Sequence, residues 1–129
     1  MKPLLLDTHT FLWFVFDDPR LSVPAAAAIS DAEVEPILSI ASLWEITIKR
    51  QLGKLDLGMD LTTFFRRYIE ERSVTVLSIE SSHLIAYDEL PLHHRDPFDR
   101  LLVAQARALD APIVTADPNF EGYELEIVW

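Results

Sequence analysis

Pro3-Leu4-Leu5-Leu6-Asp7-Thr8-His9-Thr10 is an apolar run that stops at an acid and opens into a helical pattern. The same event recurs along the chain. Pro36-Ile37-Leu38 leads into a helical stretch that carries Glu45, and Ala111-Pro112-Ile113-Val114-Thr115 stops just before Asp117. Asp96 and Asp99 stand where another helix should begin. Short apolar runs alternating with helical runs predict a parallel sheet wrapped by helices. If the runs are parallel strands, the carboxylates gather beyond the carboxyl ends of those strands, where open α/β sheets bind ligands. Several carboxylates in one cleft repel unless something positive lies between them. A hard divalent cation with oxygen ligands, Mg²⁺ or Mn²⁺, suits such a cleft. Sites of that kind commonly hydrolyse or transfer phosphate esters.

The predicted strands are 3–7, 36–39, 74–78, 112–115 and 124–128. Helices are expected at 9–17, 23–32, 40–52, 60–72, 80–89 and 97–109, with a short turn at 118–121. Pro24, Pro97 and Pro118 suit first-turn positions, where a missing N–H costs nothing. Gly53 and Gly58 punctuate the end of the third helix. The first helix, with Phe11-Leu12-Trp13-Phe14-Val15-Phe16, is apolar on every side, whereas a helix normally buries a single stripe. It is expected either to lie inside the domain or to offer Trp13 and Phe14 to another chain, aromatic residues being enriched at interfaces.

A chain of 129 residues, half of them hydrophobic, is expected to form one globular domain over 1–129. There is no cysteine, which excludes disulfides, thiolate metal sites and a cysteine nucleophile. Lys2 and Leu4-Leu5-Leu6 faintly mimic a signal peptide, but Asp7, His9, Asp17 and Asp18 interrupt its apolar centre. A soluble, cytoplasmic protein without membrane association is the expectation. The formal charge of −10 argues against a general nucleic-acid binder. The cations are unevenly spread, however. Lys49, Arg50 and Lys54 follow Glu45, and Arg95 and Arg100 flank Asp96 and Asp99, so an acidic body with a local basic rim can still hold RNA. Arg66, Arg67 and Arg72 read as a solvated helix face.

Each acid also has a structural explanation. Asp7 can cap the helix that opens at Thr8. Glu45 and Lys49 are spaced for an ordinary i,i+4 ion pair, with Ser39 as the N-cap of their helix. Asp96 at N-cap, Pro97 at N1 and Asp99 at N3 make a good helix start, and Asp117-Pro118 repeats the pattern. Arg100 would anchor its turn or touch a phosphate. Thr115 and Asn119 could support a ligand from behind. His9, His93 and His94 fit no zinc spacing. His9 and His94 are taken as orienting or structural groups and His83 as an ordinary helix residue. No G-x-S-x-G, Walker or G-x-G-x-x-G pattern exists.

Taken jointly, Leu4-Leu5-Leu6-Asp7-Thr8-His9, Ser39-Ile40-Ala41-Ser42-Leu43-Trp44-Glu45-Ile46, Leu90-Pro91-Leu92-His93-His94-Arg95-Asp96-Pro97-Phe98-Asp99-Arg100 and Val114-Thr115-Ala116-Asp117 resemble the PIN domain. Within it, the pattern is most similar to the VapC-type toxins of toxin–antitoxin modules. The resemblance covers essentially the whole chain. It implies a five-stranded parallel sheet of order 3-2-1-4-5 with helices on both faces. It also implies a Mg²⁺- or Mn²⁺-dependent endoribonuclease that inhibits translation and leaves 5′-phosphate and 3′-hydroxyl ends. Asp7, Glu45, Asp99 and Asp117 fall on the family's catalytic, metal-holding acids, and Asp96 on an additional acid beside them. Thr8, Ser42 and Thr115 fall on supporting positions, joined by Asn119. Lys49 and Arg100 are the expected RNA contacts. The resemblance further implies a VapB-like antitoxin and a homodimer, with higher toxin–antitoxin assembly open.

The competing readings are a catalytically inert PIN-fold module that binds RNA or protein, and a haloacid-dehalogenase-like phosphatase. The phosphatase motif wants an acid two residues after the first Asp, where this chain has His9, and a late lysine, where this chain has none beyond Lys54. A receiver-like regulatory domain lacks the same lysine.

Overall fold

The computed structural model describes residues 1–93 and 95–129; His94, expected to orient or to stabilise, lies outside them. The chain runs β1 (Lys2–Leu6), α1 (Thr8–Val15), α2 (Val23–Ser30), β2 (Val34–Ser39), α3 (Ile40–Gln51), α4 (Leu61–Phe65), β3 (Thr75–Leu77), α5 (Ser81–Asp88), α6 (Pro97–Leu109), β4 (Ile113–Val114) and β5 (Ile127–Val128). A π-helical turn, Arg66–Glu70, extends α4, and a 3₁₀ turn, Pro118–Phe120, follows β4. The expected helix 60–72 is therefore an α-helix that widens midway, and the expected strand at 124–128 contracts to two residues.

The sheet has five strands, all parallel, in the order β3-β2-β1-β4-β5. The expected topology is thus the observed one. Central β1 explains its own composition. Leu4 and Leu6 point into one core with Leu38 and Val114, while Leu5 points into the other with Ile37 and Ile113. A strand buried on both faces has no position for a polar residue, so it reads as an unbroken apolar run. Pro3 is tolerated because of where the sheet ends. The Leu5 and Asp7 amides donate towards β4, and Pro3 lies on that side before β4 has begun. Its missing N–H thus leaves no gap in the ladder.

The first core packs α1, α2, α3 and α4 against one face of the sheet; the second packs α6 and the 3₁₀ turn against the other. Phe11 and Phe64, fully buried, meet edge to face at 6.2 Å in the first core. Helix α1 uses most of its apolar surface inside the chain. Phe11, Leu12 and Val15 are buried and Phe14 packs against the same core. Trp13 lies edgewise on Trp129 at 5.9 Å. Exposed apolar side chains also occur elsewhere, among them Ile40 and Trp44 on α3 and Leu84 and Ile85 on α5.

Helix ends are set by local chemistry. Asp7, Ser22, Ser39, Asp60 and Asp96 each accept a backbone N–H at the start of a helix. Past α3 and its C-cap Leu52, Gly53 turns the chain with a φ of +72°, open to glycine without a Cβ penalty. The turn directs Lys54 back towards the helix, where its amide reaches the Lys49 carbonyl at 2.9 Å. Among the described residues no helix is long and apolar enough to cross a membrane.

Candidate metal centre and active site

Asp7, immediately past β1, is 4% exposed. Its amide donates to the Val114 carbonyl at 3.2 Å, which fastens the residue to the end of β4. One carboxylate oxygen accepts the Thr10 amide at 2.7 Å and the other accepts the Thr115 hydroxyl. Thr115 is itself buried and receives the Asp117 amide at 3.0 Å, so one threonine ties two of the acids together. Burial pushes the Asp7 carboxyl above its ordinary value, against the opposing pull of these hydrogen bonds. Among the described residues no lysine or arginine pairs with it. A buried carboxylate of this kind favours either a proton or a nearby cation.

Glu45 reaches the same place from the second turn of α3. The Thr8 hydroxyl bridges Ser42 Oγ at 2.9 Å and Glu45 Oε1 at 2.7 Å, with the carboxylate accepting. Ser42 is buried behind it, so the seryl and threonyl hydroxyls hold the glutamate from within the fold. The other oxygen of Glu45 meets Lys49 Nζ at 3.1 Å. The i,i+4 pair expected from spacing and the position at the sheet edge therefore coexist.

Asp96 caps α6, its Oδ1 accepting the Phe98 and Asp99 amides at 2.8 and 3.1 Å. Asp117 caps the 3₁₀ turn by accepting the Asn119 amide at 2.9 Å. Capping accounts for the position of these acids but not for their convergence. Asp7, Glu45, Asp96, Asp99 and Asp117 line a single cavity of about 170 Å³, with Thr8, His9, Lys49 and Asn119 completing the wall. The sheet topology brings Asp7, Glu45 and Asp117 together, because β1 lies between β2 and β4 and all three parallel strands release their chains at the same edge; the start of α6 adds Asp96 and Asp99.

The donors suit a hard cation in kind, being oxygen throughout apart from His9 and Lys49. They are not preassembled. Among the described residues no three His, Asp or Glu side chains stand close enough together to hold an ion as they are. Magnesium commonly binds through one or two carboxylates and retains several waters, so the donor set fits it without a closed cage.

Arg100 takes the anchoring role among those expected for it. It is buried, with Nη1 donating to the Pro91 carbonyl at 2.9 Å and Nη2 facing the Tyr87 carbonyl at 3.4 Å. Its guanidinium lies 4.8 Å from the Tyr87 ring centre. It anchors α6 to the segment after α5, the first of the two roles expected for it. The reason is helical direction, since its neighbour Asp99 faces the cavity and the next residue points about 100° away. His83 is likewise more than an ordinary helix residue. It is buried, its Nδ1 accepts the Glu80 amide at 3.0 Å, and it faces Gln105 of α6. Sequence reasoning also passed over the Trp44–Phe98 pair, whose rings meet at 5.3 Å. The signal was that each aromatic directly precedes a cavity acid.

The comparisons agree with this architecture. The VapBC2 complex of Rickettsia felis, bound to a promoter DNA fragment, superposes with a TM-score of 0.70 at 14% identity, over 97% of this chain and 96% of that one. FitAcB from Neisseria gonorrhoeae gives 0.66 at 16% identity, covering 96% and 95%. VapBC-1 from nontypeable Haemophilus influenzae gives 0.67 at 16% identity, covering 97% and 96%. At these identities the likeness is one of fold. No curated protein matches in sequence. The PIN domain family model matches residues 4–124, from the central strand through all the cavity acids, and the chain belongs to the PIN domain family.

Proposed function

We propose that the chain is a Mg²⁺- or Mn²⁺-dependent endoribonuclease of the VapC type, the toxin of a toxin–antitoxin module that inhibits translation. One observation carries the reading: five carboxylates from four separate parts of the chain share one small cavity, and the most buried of them has no ion-pair partner among the described residues. Family membership and the toxin–antitoxin complexes among its structural neighbours support it.

In this reading Asp7, Glu45, Asp99 and Asp117 hold the cation, with Asp96 and Asn119 beside them. When bound, the ion supplies Lewis acidity to a phosphodiester oxygen and to water. The chain's own groups do the positioning. Thr115 and the Thr10 amide fix the Asp7 carboxylate, and Thr8 backed by Ser42 fixes Glu45. Lys49, at the rim, exchanges its glutamate partner for a substrate phosphate once the cavity holds positive charge. A carboxylate of the cavity accepts the proton released by the attacking water.

Cleavage of total RNA by the purified chain is expected with Mg²⁺ or Mn²⁺ and is expected to stop with excess EDTA, returning on metal replenishment. Activity indifferent to EDTA would remove the metal from the mechanism. Metal binding by the folded protein without any RNA cleavage would favour the inert binder.

The excess of acids suits a basic antitoxin segment seated in the cavity. Self-association is proposed through α3 and α5, which both pack on α6 and carry exposed Ile40, Trp44, Leu84 and Ile85. Trp13 and Phe14 are half-buried within this chain and are weaker candidates for that contact. Ile85→Glu is expected to shift the sedimentation coefficient towards the monomer, and Phe14→Ala to leave it unchanged. The reverse ranking would return the interface to α1.

A further inference from the structure

Beside the acid cavity lies a larger one, of about 390 Å³, that shares Thr8, His9 and Lys49 with it as a common wall. Its far side carries Trp13, Arg20 and Lys54. A third hollow, bordered by Asp7, His9, Trp13, Arg20 and Asp117, joins the two. The three form one groove that leads from the carboxylates past His9 to the indole of Trp13. Its charge changes along the way. The acid end holds five carboxylates and a single lysine, whereas the Trp13 end gathers Arg20, Lys49 and Lys54 against Asp18 and Asp56. Arg20 is paired there with Asp18 and Lys49 with Glu45, which leaves Lys54 as the groove cation outside those ion pairs.

Arg20 is held in a defined plane. Its Nε and Nη2 donate to the two oxygens of Asp18 at 3.1 and 2.8 Å, and its Cζ lies 4.9 Å from the centre of the Trp13 ring. The indole is in turn braced by Trp129. The Arg20 side chain nevertheless stays 68% exposed, so an ion pair of this kind adds little stability. What it does is present a flat, fixed guanidinium on an aromatic base. Unpaired nucleobases stack on such planes.

We propose that this groove is a nucleotide subsite. An unpaired nucleotide flanking the scissile phosphate stacks its base on the Arg20–Trp13 platform, and Lys54 holds its phosphate. The volume lies in the range of about 300–1,000 Å³ typical of small-ligand sites. Only an unpaired base can stack there, so duplex RNA would leave this subsite unfilled. The inference rests on the ribonuclease reading for the cleavage step but not for binding.

The test uses the folded Asp7→Asn chain and a fluorescein-labelled pool of single-stranded RNA oligonucleotides, followed by anisotropy across a salt series. Arg20→Gln in that background is expected to weaken binding about tenfold, the loss of one stacked base. Lys54→Gln is expected to flatten the logarithmic salt slope by about 0.7, the loss of one phosphate contact. Duplex RNA should compete poorly. In the otherwise unaltered chain, Arg20→Gln should raise KM with little change in kcat. Both side chains are exposed, and unchanged melting curves would verify folding. Binding that ignores both substitutions, or duplex that competes equally, would overturn the subsite even where metal-dependent cleavage is intact. Arg20-dependent binding of single strands without cleavage would uphold the subsite while the ribonuclease reading fails.

Discussion

Asp7→Asn is expected to lower metal-dependent RNA cleavage by about three orders of magnitude, roughly 4 kcal/mol of transition-state stabilisation, without unfolding the chain. The asparagine keeps the shape, and its side-chain oxygen can still accept the Thr10 amide, so the cap of α1 survives. What disappears is negative charge at the most buried acid of the cavity. The same substitution should raise the stability of the metal-free protein at neutral pH. Burial lifts the folded-state pKa of Asp7 above the ordinary 3.8, so the native chain binds that proton more tightly than the unfolded one. Stability then falls as pH rises through the window between 3.8 and the raised value, and the deficit is fully present above it. The variant lacks this titration. Its thermal advantage should therefore be greatest near neutrality and vanish below the window. Cleavage retained by Asp7→Asn would place the chemistry elsewhere. Equal melting temperatures at every pH would show that the hydrogen bonds from Thr115 and Thr10 offset the burial completely.

Arg100→Met should produce the second large effect, on stability. The substitution conserves much of the aliphatic stem but withdraws the charged donor from the Pro91 and Tyr87 carbonyls and the cation from the Tyr87 ring. Losing hydrogen bonds to a buried charged group costs about 3 kcal/mol here, which for a domain of this size lowers Tm by roughly 10 °C. The connection between α5 and α6 carries the approach to Asp96 and Asp99, so looseness should appear there first in hydrogen exchange. At temperatures where the variant remains folded, its KM for RNA should match that of the parent. A raised KM with unchanged melting would instead make Arg100 a substrate contact.

These two residues also mark how far local reasoning reaches. Asp7, Asp96 and Asp117 are legible from sequence because capping depends on neighbours within three positions, and an apolar run ending at an acid records a strand end directly. Glu45 was placed by Ser39, whose hydroxyl caps α3 and sets the helical phase. Which of its two expected roles Arg100 takes was open in the sequence, because its direction depends on which face of α6 meets the segment after α5, and nothing near it specifies that. His83 was undervalued for the same reason, since its partner Gln105 lies 22 residues away.

By itself the sequence determined the order of strands and helices and the caps at Asp7, Ser39, Asp96 and Asp117, because hydrophobic periodicity and side-chain-to-backbone hydrogen bonds are short-range. Through its resemblance to a family it also implied the strand order and the set of acids. Only the tertiary structure decided what stands beside those acids. Trp13 meets Trp129 across the length of the chain, and Lys54 is turned back by Gly53 towards the groove that Arg20 enters from another loop. Such meetings arise from packing helices on a sheet, where direction and distance follow from the whole fold.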